Sequence, residues 1–348
     1  MNAKRFSFIS IIVLLFGLII YAIPTIVVDP YFHYHIPLEG YEYPMDNQRY
    51  QNDGMLKNFE YDALIAGTSM VMAFNTEEFD QLFQTNSVLA YFLGGSYKEI
   101  NNNISTALEY NSELRVVLRG LDLSLLDRDK DYMKYELSYY PEYLYDKNIF
   151  NDIKYVWNKK IFDLSIDILK TRKTDVQHAS VEEESDNRWS KENVLNSFTR
   201  VPIAEEKVKF TEEDRKRIFD NVSQNVTEII EKYPDVTFYL FLTPYNICYW
   251  DEMYRLGKLD YMLEAEQVAI EEILQYKNIR LFSFADNFEL ICDLDRYSDQ
   301  GHYSIDTYSD ILRWIKNGEY EITKENYRQH LKLRKQFYED YDYEVIFQ

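Results

Sequence analysis

The stretch from Tyr61 to Met70, which reads YDALIAGTSM, decides the fold. Its first part, Tyr61 to Ala66, is a short apolar run that predicts a buried β-strand, and Gly67 marks a tight turn after it. Ser69 therefore follows a strand almost directly. Open sheets of parallel strands bind ligands beyond the carboxyl ends of their strands, so this position would present the Ser69 hydroxyl at a binding edge.

Four further runs of this kind follow along the chain, separated by segments with helical periodicity. The runs are Ser87 to Leu93, Arg115 to Leu121, Val236 to Leu242 and Ile279 to Phe284. Strands that alternate with helices are typical of a parallel sheet covered by crossover helices. The sequence therefore predicts an α/β fold with one five-stranded parallel sheet, helices on both faces and a flavodoxin-like, three-layer arrangement.

The segment between Leu121 and Thr211 is too long for a single crossover, which needs about 10 to 12 residues. It predicts a helical insertion at about 123–211, with helices over 132–168 that pack on the sheet domain and an exposed loop over 180–193. The predicted organisation is a cytoplasmic tip and transmembrane anchor at 1–28, a juxtamembrane segment at 29–60, the sheet domain at 61–316 and a helical C-terminal tail at 317–348.

No charged side chain occurs from Phe6 to Val28. A helix over this run would be about 34 Å long, enough to cross a hydrocarbon layer of about 30 Å. Lys4 and Arg5 precede the run, which by the positive-inside bias places everything after Asp29 outside the cytoplasm. The sequence predicts a single-pass membrane protein that contacts the lipid bilayer through residues 6–28. A cleaved secretory signal is the main alternative, although no convincing small-residue cleavage site follows, and a buried helix is another.

Composition excludes several classes of protein. The chain has 38 basic and 59 acidic residues, a net charge of −21, so no nucleic-acid partner is expected. Its two cysteines, Cys248 and Cys292, exclude a disulfide framework and leave a single bridge open. The sequence contains no GxGxxG, Walker loop or HExxH pattern, so we expect no cofactor and no metal.

A second candidate element follows the last predicted strand, where Asp299 and His302 stand three residues apart in DQGH. A serine nucleophile needs a base to take its proton, and the base needs an acid to orient it. Side chains at this spacing can meet on one turn, so His302 is the candidate base for Ser69 and Asp299 the candidate acid. The alternative is that both are surface residues that cap the next helix.

Tyr245 and Asn246 follow the fourth predicted strand at the same edge of the sheet, which makes them candidate substrate contacts. The alternative is a simple turn at Pro244 that ends the strand.

In their order along the chain, Gly-Thr-Ser at 67–69, the glycine pair 94–95 and Asp-x-x-His at 299–302 resemble the SGNH, or GDSL-type, esterase superfamily. The resemblance covers about 61–316. It implies that Ser69 is the nucleophile, that the N–H groups of Ser69 and Gly95 form the oxyanion hole, and that Asp299 and His302 complete the catalytic group.

The chain departs from that superfamily at two places. The first block reads GTSM rather than GDSL. After the third strand the superfamily usually has an Asn that donates to the oxyanion, whereas this chain has Asp122. An ionised Asp122 would oppose negative charge in the transition state, so we expect its side chain to point elsewhere and to structure the turn; the alternative is an oxyanion hole with fewer donors.

More narrowly, the anchor together with residues 27–35, 47–70 and 299–304 resembles a group of membrane-anchored SGNH-like proteins of Gram-positive bacteria. These are similar to the D-alanyl-transfer protein of teichoic-acid operons and to O-acetyltransferase partners in polysaccharide gene clusters. The resemblance implies an extracytoplasmic serine acyltransferase or esterase that acts on acyl esters of a cell-surface glycopolymer, often beside a multi-spanning membrane acyltransferase. A catalytically inactive scaffold with this fold and a glycan-binding component of such a complex stay open as alternatives.

Overall fold

The computed structural model describes residues 3–134, 141–172 and 188–348 of the chain. The described residues group into two compact units. The anchor unit contains those of 1–60 and 135–183, and the sheet unit contains those of 61–134 and 184–348.

The sheet unit is built on a six-stranded sheet in the order β2-β1-β3-β4-β5-β6. The strands are β1 (Ala63–Gly67), β2 (Ser87–Tyr91), β3 (Val116–Leu121), β4 (Thr237–Leu242), β5 (Ile279–Ser283) and β6 (Glu321–Ile322). Neighbours among β1 to β5 are parallel, whereas β6 pairs antiparallel with β5. The five predicted strands are present within two residues at each end. The prediction of a purely parallel sheet of five strands was wrong, because a two-residue strand such as β6 gives no apolar run.

The strand order explains where the site forms. After β1 the chain moves to one side for β2 and then crosses back to the other side for β3. Right-handed crossovers in opposite directions place their helices on opposite faces of a sheet, and the gap between β1 and β3 is the switch point where ligands bind. All residues of β1 and β3 are buried, as expected for strands covered on both faces.

Fifteen α-helices lie in the described residues. They are α1 (Ala3–Val28), α2 (Gln48–Asn58), α3 (Thr76–Phe83), α4 (Tyr97–Tyr110), α5 (Glu142–Tyr145), α6 (Ile153–Val156), α7 (Lys159–Lys170), α8 (Lys191–Ser197), α9 (Glu212–Val222), α10 (Glu228–Lys232), α11 (Ile247–Arg255), α12 (Leu259–Ile273), α13 (Phe288–Cys292), α14 (Ile305–Asn317) and α15 (Tyr327–Asp340). Cys248 and Cys292 are both free thiols.

The anchor unit contains the apolar helix α1, which by length and composition could cross a membrane. A membrane anchor and a signal sequence both meet that test. Helices α6 and α7 pack against α1, and the rings of Tyr21 and Phe162 stack with their centroids 4.5 Å apart. We expected the helices of 132–168 to pack on the sheet domain; those of 141–172 group instead with α1, against which Phe162 of α7 stacks on Tyr21. Of the predicted loop 180–193, residues 180–187 lie outside the described part of the chain.

Candidate active site

Ser69 lies at the carboxyl end of β1, at the start of a 3-10 turn over Ser69–Val71. The hydroxyl of Thr68 caps this turn by accepting from the Met70 N–H at 3.2 Å. The turn needs space next to β1 and β3, and a glycine on each strand provides it. A Cβ built at Gly67 or Gly120 would lie 2.6 or 2.9 Å from Val71 Cγ1.

Asp299 and His302 form one hydrogen-bonded turn, as their spacing predicted. Asp299 Oδ1 accepts from the N–H groups of Gly301 and His302, each at 2.8 Å. Asp299 Oδ2 lies 2.7 Å from His302 Nδ1. The carboxylate therefore fixes both the backbone of the turn and the orientation of the imidazole.

The other nitrogen of that ring reaches the serine. His302 Nε2 lies 2.8 Å from Ser69 Oγ, across 233 residues of sequence. Because Asp299 can only accept when ionised, Nδ1 carries the proton and Nε2 presents its lone pair to the serine hydroxyl. The three residues thus form a continuous hydrogen-bonded chain with the geometry that general-base activation of a serine requires.

The ionisation of the pair supports this arrangement. Burial would raise the pKa of Asp299, but the hydrogen bonds from His302 and from the N–H groups of the turn outweigh it and hold the pKa below its usual range. The hydrogen bond to Asp299 raises the pKa of His302 above 6.5, against the opposing effect of burial. Asp299 therefore stays ionised and strengthens His302 as a base.

Asn246 stands behind the acid rather than on the wall of the site. It is fully buried. Its Oδ1 accepts from the Cys248 N–H at 3.0 Å and caps α11, and its Nδ2 donates to the Asp299 carbonyl at 2.7 Å. The structure thus assigns Asn246 to the support of Asp299, a position different from the predicted substrate contact.

Two tyrosines that sequence reasoning missed tie the serine turn to the histidine turn. Tyr303 donates to the Met70 carbonyl, and Tyr308 donates to the Ser69 carbonyl at 3.4 Å. Both rings are buried. The one available signal was the position of Tyr303 directly after His302.

Asp122 does not point away from the site as expected. Its buried carboxylate accepts from the Thr68 hydroxyl at 2.5 Å and from the Tyr245 hydroxyl at 2.7 Å, and it lines the same cavity as Ser69. Burial raises its pKa, and the two hydroxyls partly counter that effect. The hydroxyls of Thr68 and Tyr245 therefore hold the Asp122 carboxylate between the turn that carries Ser69 and the wall of the cavity.

Gly95 also lines the cavity, but its N–H is engaged. It donates to the Phe92 carbonyl at 2.9 Å and so closes a four-residue turn, in which Gly94 has φ +59°. The Ser69 N–H, by contrast, is the first of its 3-10 turn and has no acceptor within that turn. Of the two predicted oxyanion donors, only that of Ser69 is free of a turn bond.

These residues surround a cavity of about 600 Å³. Tyr245 forms part of its wall, with its hydroxyl bonded to Asp122 and to Ser124, and its contact with substrate stays a prediction. Arg128 and Lys134 also line it, and neither forms an ion pair within the described residues. No group of three or more His, Cys, Asp or Glu that could hold a metal ion occurs in those residues.

We compared the chain with known proteins. No protein-family model matches it, and no curated protein matches it. Among solved structures, one match is a chain from Streptococcus pneumonia that is provisionally described as a platelet activating factor. That match has 12% sequence identity and a TM-score of 0.42, and it covers 78% of this chain and 90% of the other.

Proposed function

We propose that this protein is a serine-dependent acyl-transfer enzyme of the SGNH type, an esterase or an O-acyltransferase. The observation that carries the proposal is the chain of contacts from Ser69 Oγ to His302 Nε2, 2.8 Å, and from His302 Nδ1 to Asp299 Oδ2, 2.7 Å. These atoms come from two distant parts of the sequence and meet beside a cavity at the switch point of the sheet.

The reaction follows from these contacts. Ser69 Oγ attacks the carbonyl carbon of an acyl ester while its proton passes to His302 Nε2, and Asp299 stabilises the imidazolium. The oxyanion forms next to the Ser69 N–H. When the tetrahedral intermediate collapses, the bond to the leaving alcohol breaks, His302 returns the proton to that oxygen, and the acyl group remains on Ser69. Water or a sugar hydroxyl then removes the acyl group by the same steps in reverse.

The proposed setting is the extracytoplasmic side of the cell membrane of a Gram-positive bacterium, with α1 as the anchor. The proposed substrate is an acyl ester of a cell-surface glycopolymer, and the proposed partner is a multi-spanning membrane acyltransferase. The length and apolar composition of α1 and the sequence resemblance support this setting. Product analysis separates the two reactions, because free acid as the sole product in the presence of a glycan acceptor would exclude transfer.

An active-site serine probe tests the catalytic proposal. We expect a fluorophosphonate to label the wild-type protein and not Ser69→Ala, because only a serine activated by a base reacts at a useful rate. Ser112→Ala is the matched control, since Ser112 is an exposed serine that precedes β3, whereas Ser69 follows the carboxyl end of β1. Equal labelling of the wild type and Ser69→Ala, with correct folding of both, would contradict the proposal.

A second candidate function is a non-catalytic component of a membrane complex that holds a glycan. The engaged Gly95 N–H and the Asp122 carboxylate beside the site favour it, because both weaken oxyanion stabilisation. This function predicts glycan binding that His302→Ala leaves unchanged, together with an absence of acyl transfer by the wild type.

A further inference from the structure

The anchor unit carries an exposed apolar surface beside α1. We define it by the side chains of Ile149, Phe150, Ile153 and Trp157, which are 74%, 85%, 57% and 43% exposed. Isolated exposed apolar residues are common on proteins. Four within nine residues, two of them aromatic, form a patch of the kind that marks a contact surface for a protein or a membrane.

The position of this patch relative to α1 is fixed by specific contacts. The Trp157 indole N–H donates to the Leu18 carbonyl of α1 at 3.1 Å. Tyr155 of α6 donates to Asp29 Oδ1 at 2.6 Å, and Asp29 directly follows the last residue of α1. Trp157 therefore lies at the level of Leu18, well before the outer end of α1, whereas Tyr155 and Asp152, which accepts from the Tyr34 hydroxyl at 3.1 Å, lie at that end.

That level is too low on α1 to lie in water if the helix spans a bilayer. From Ala3 to Leu18 the helix rises only about 22 Å, whereas the hydrocarbon layer is about 30 Å thick. The outer leaflet must then reach past Leu18 and surround what is bonded there. The large apolar side chains of α1 on either side of this level, Phe16, Ile19 and Ile20, are themselves exposed.

The charges around the patch fit the same position. Lys147, Lys154, Lys159 and Lys160 lie within or next to it in the sequence, together with the acidic residues Asp146, Asp152 and Asp163, of which Asp163 pairs with Lys159 at 2.5 Å. Lysines near a membrane surface bury their aliphatic stems and extend their ammonium groups to the phosphate level, and tryptophan is enriched at that boundary. An apolar face edged with lysines is the pattern of an element that lies in the membrane interface.

We propose that Ile149, Phe150, Ile153 and Trp157 insert into the outer leaflet of the bilayer that holds α1, as a second membrane contact. The surface rests on the membrane anchor proposed above. It would limit rotation and tilt of α1 in the membrane and hold the anchor unit at a constant height, which a single helix cannot do.

Quenching of tryptophan fluorescence by lipids brominated on their acyl chains tests this in the full chain reconstituted in liposomes. The chain has four tryptophans, so the comparison is between the wild type and Trp157→Phe. We expect the brominated lipid to reduce the emission of the wild type more than that of Trp157→Phe. Equal quenching of the two proteins would overturn the proposal.

A second pair of variants keeps the test independent of the bond from Trp157 to Leu18. Phe150→Trp, made in the Trp157→Phe chain, should restore quenching, and the large exposure of Phe150 means that this exchange should not disturb the fold. The matched control is Leu169→Trp in the same chain. Leu169 is also exposed, but it lies near the end of α7, where the Thr171 hydroxyl accepts from the Glu42 N–H and the neighbouring Tyr43 donates to the Val28 carbonyl at the outer end of α1. Quenching at position 169 as strong as at position 150 would count against the surface.

Flotation with the liposomes separates failure of the anchor from failure of this surface. A chain that does not float contradicts the anchor itself. A chain that floats but shows no difference between Trp157 and its phenylalanine variant contradicts only the inserted surface.

Discussion

The two sides of the candidate active site differ in how completely they are built. On the side of proton transfer, Ser69, His302 and Asp299 are joined by contacts of 2.7 and 2.8 Å. On the side where an oxyanion would form, the Gly95 N–H is bonded within its own turn, and the Asp122 carboxylate lines the same cavity as Ser69.

The difference shows that proton transfer and oxyanion stabilisation are separate structural problems. The first is solved by one turn, in which Asp299 holds the backbone and the ring of His302 together. The second needs N–H groups aimed at a position that only the transition state occupies. In this chain the Ser69 N–H is the main candidate donor, and Gly95 could help only if its turn bond is shared or exchanged when substrate binds.

The largest effect on kcat is expected from a substitution on the proton-transfer side of the site. Asp299→Asn should lower kcat by about 10⁴-fold, because an amide can hold the imidazole in the wrong tautomer while the geometry stays intact. Stability should change little, since Asn can still accept from the N–H groups of the turn. Steady-state kinetics with an activated acyl ester and thermal unfolding measure the two effects. Asp306→Asn, an exposed carboxylate in α14, is the control and should keep kcat within about twofold. A fall of less than about tenfold for Asp299→Asn would contradict the proposed relay.

The same contrast explains which parts of the site could be predicted from the sequence. Ser69, Asp299 and His302 were predictable because each stands in a short local pattern, a strand end or a four-residue turn, and a parallel sheet brings such ends together. The engaged N–H of Gly95 was not predictable, because a backbone bond to Phe92 leaves no mark on the identity of either residue.

Long-range partners limited the prediction in the same way. Asp122 meets Thr68 and Tyr245 across 54 and 123 residues, so its direction depends on packing that no local pattern encodes. Asn246 was placed at the correct edge, but whether its amide faces the cavity or the Asp299 carbonyl is likewise decided by packing.

The second largest effect should come from Gly95→Ala, which tests the less complete side. A Cβ at Gly95 would lie 2.7 Å from Phe92 Cβ, so the turn must shift, at a cost of about 1–3 kcal/mol in the free energy of unfolding. If the Gly95 N–H serves the oxyanion, kcat should also fall by about 10²-fold. Gly94→Ala is the control: its nearest contact is the flexible Lys134 Nζ, and the expected cost is that of its φ of +59°, about 1–2 kcal/mol. Loss of stability in Gly95→Ala with kcat unchanged would leave Ser69 as the only predicted donor.

A smaller effect is expected from Asn246→Ala, which removes the support behind the acid. The loss of the α11 cap and of the bond to the Asp299 carbonyl should cost about 1–2 kcal/mol of stability. Because Asp299 would be held less firmly, kcat should fall by about tenfold, far less than for Asp299→Asn. Chemical denaturation and steady-state kinetics on the same samples measure both effects. A loss of activity as large as that of Asp299→Asn would mean that Asn246 contacts the reacting groups, as the sequence first indicated.

The smallest change in rate, and the clearest test of the comparison, should come from Asp122→Asn. His302 must be neutral to accept the serine proton, and the hydrogen bond to Asp299 raises its pKa above 6.5, with a smaller contribution from the charge of Asp122. Activity of the wild type should therefore fall on acidification from a pH above 6.5. Removal of the Asp122 charge should lower the pKa of His302 and extend activity to lower pH.

The rate at the optimum should change by less than about tenfold for Asp122→Asn, because Asn can still accept from Thr68 or Tyr245 while the repulsion of an oxyanion is removed. The pH dependence of kcat/KM measures the shift, with Ser112→Ala expected to reproduce the wild-type profile. If the acidic side of the kcat/KM profile is the same in Asp122→Asn and in the wild type, Asp122 is already protonated in the working enzyme, as its burial favours. In that case the carboxyl group would not oppose the oxyanion, and the two sides of the site would be less unequal than the contacts alone indicate.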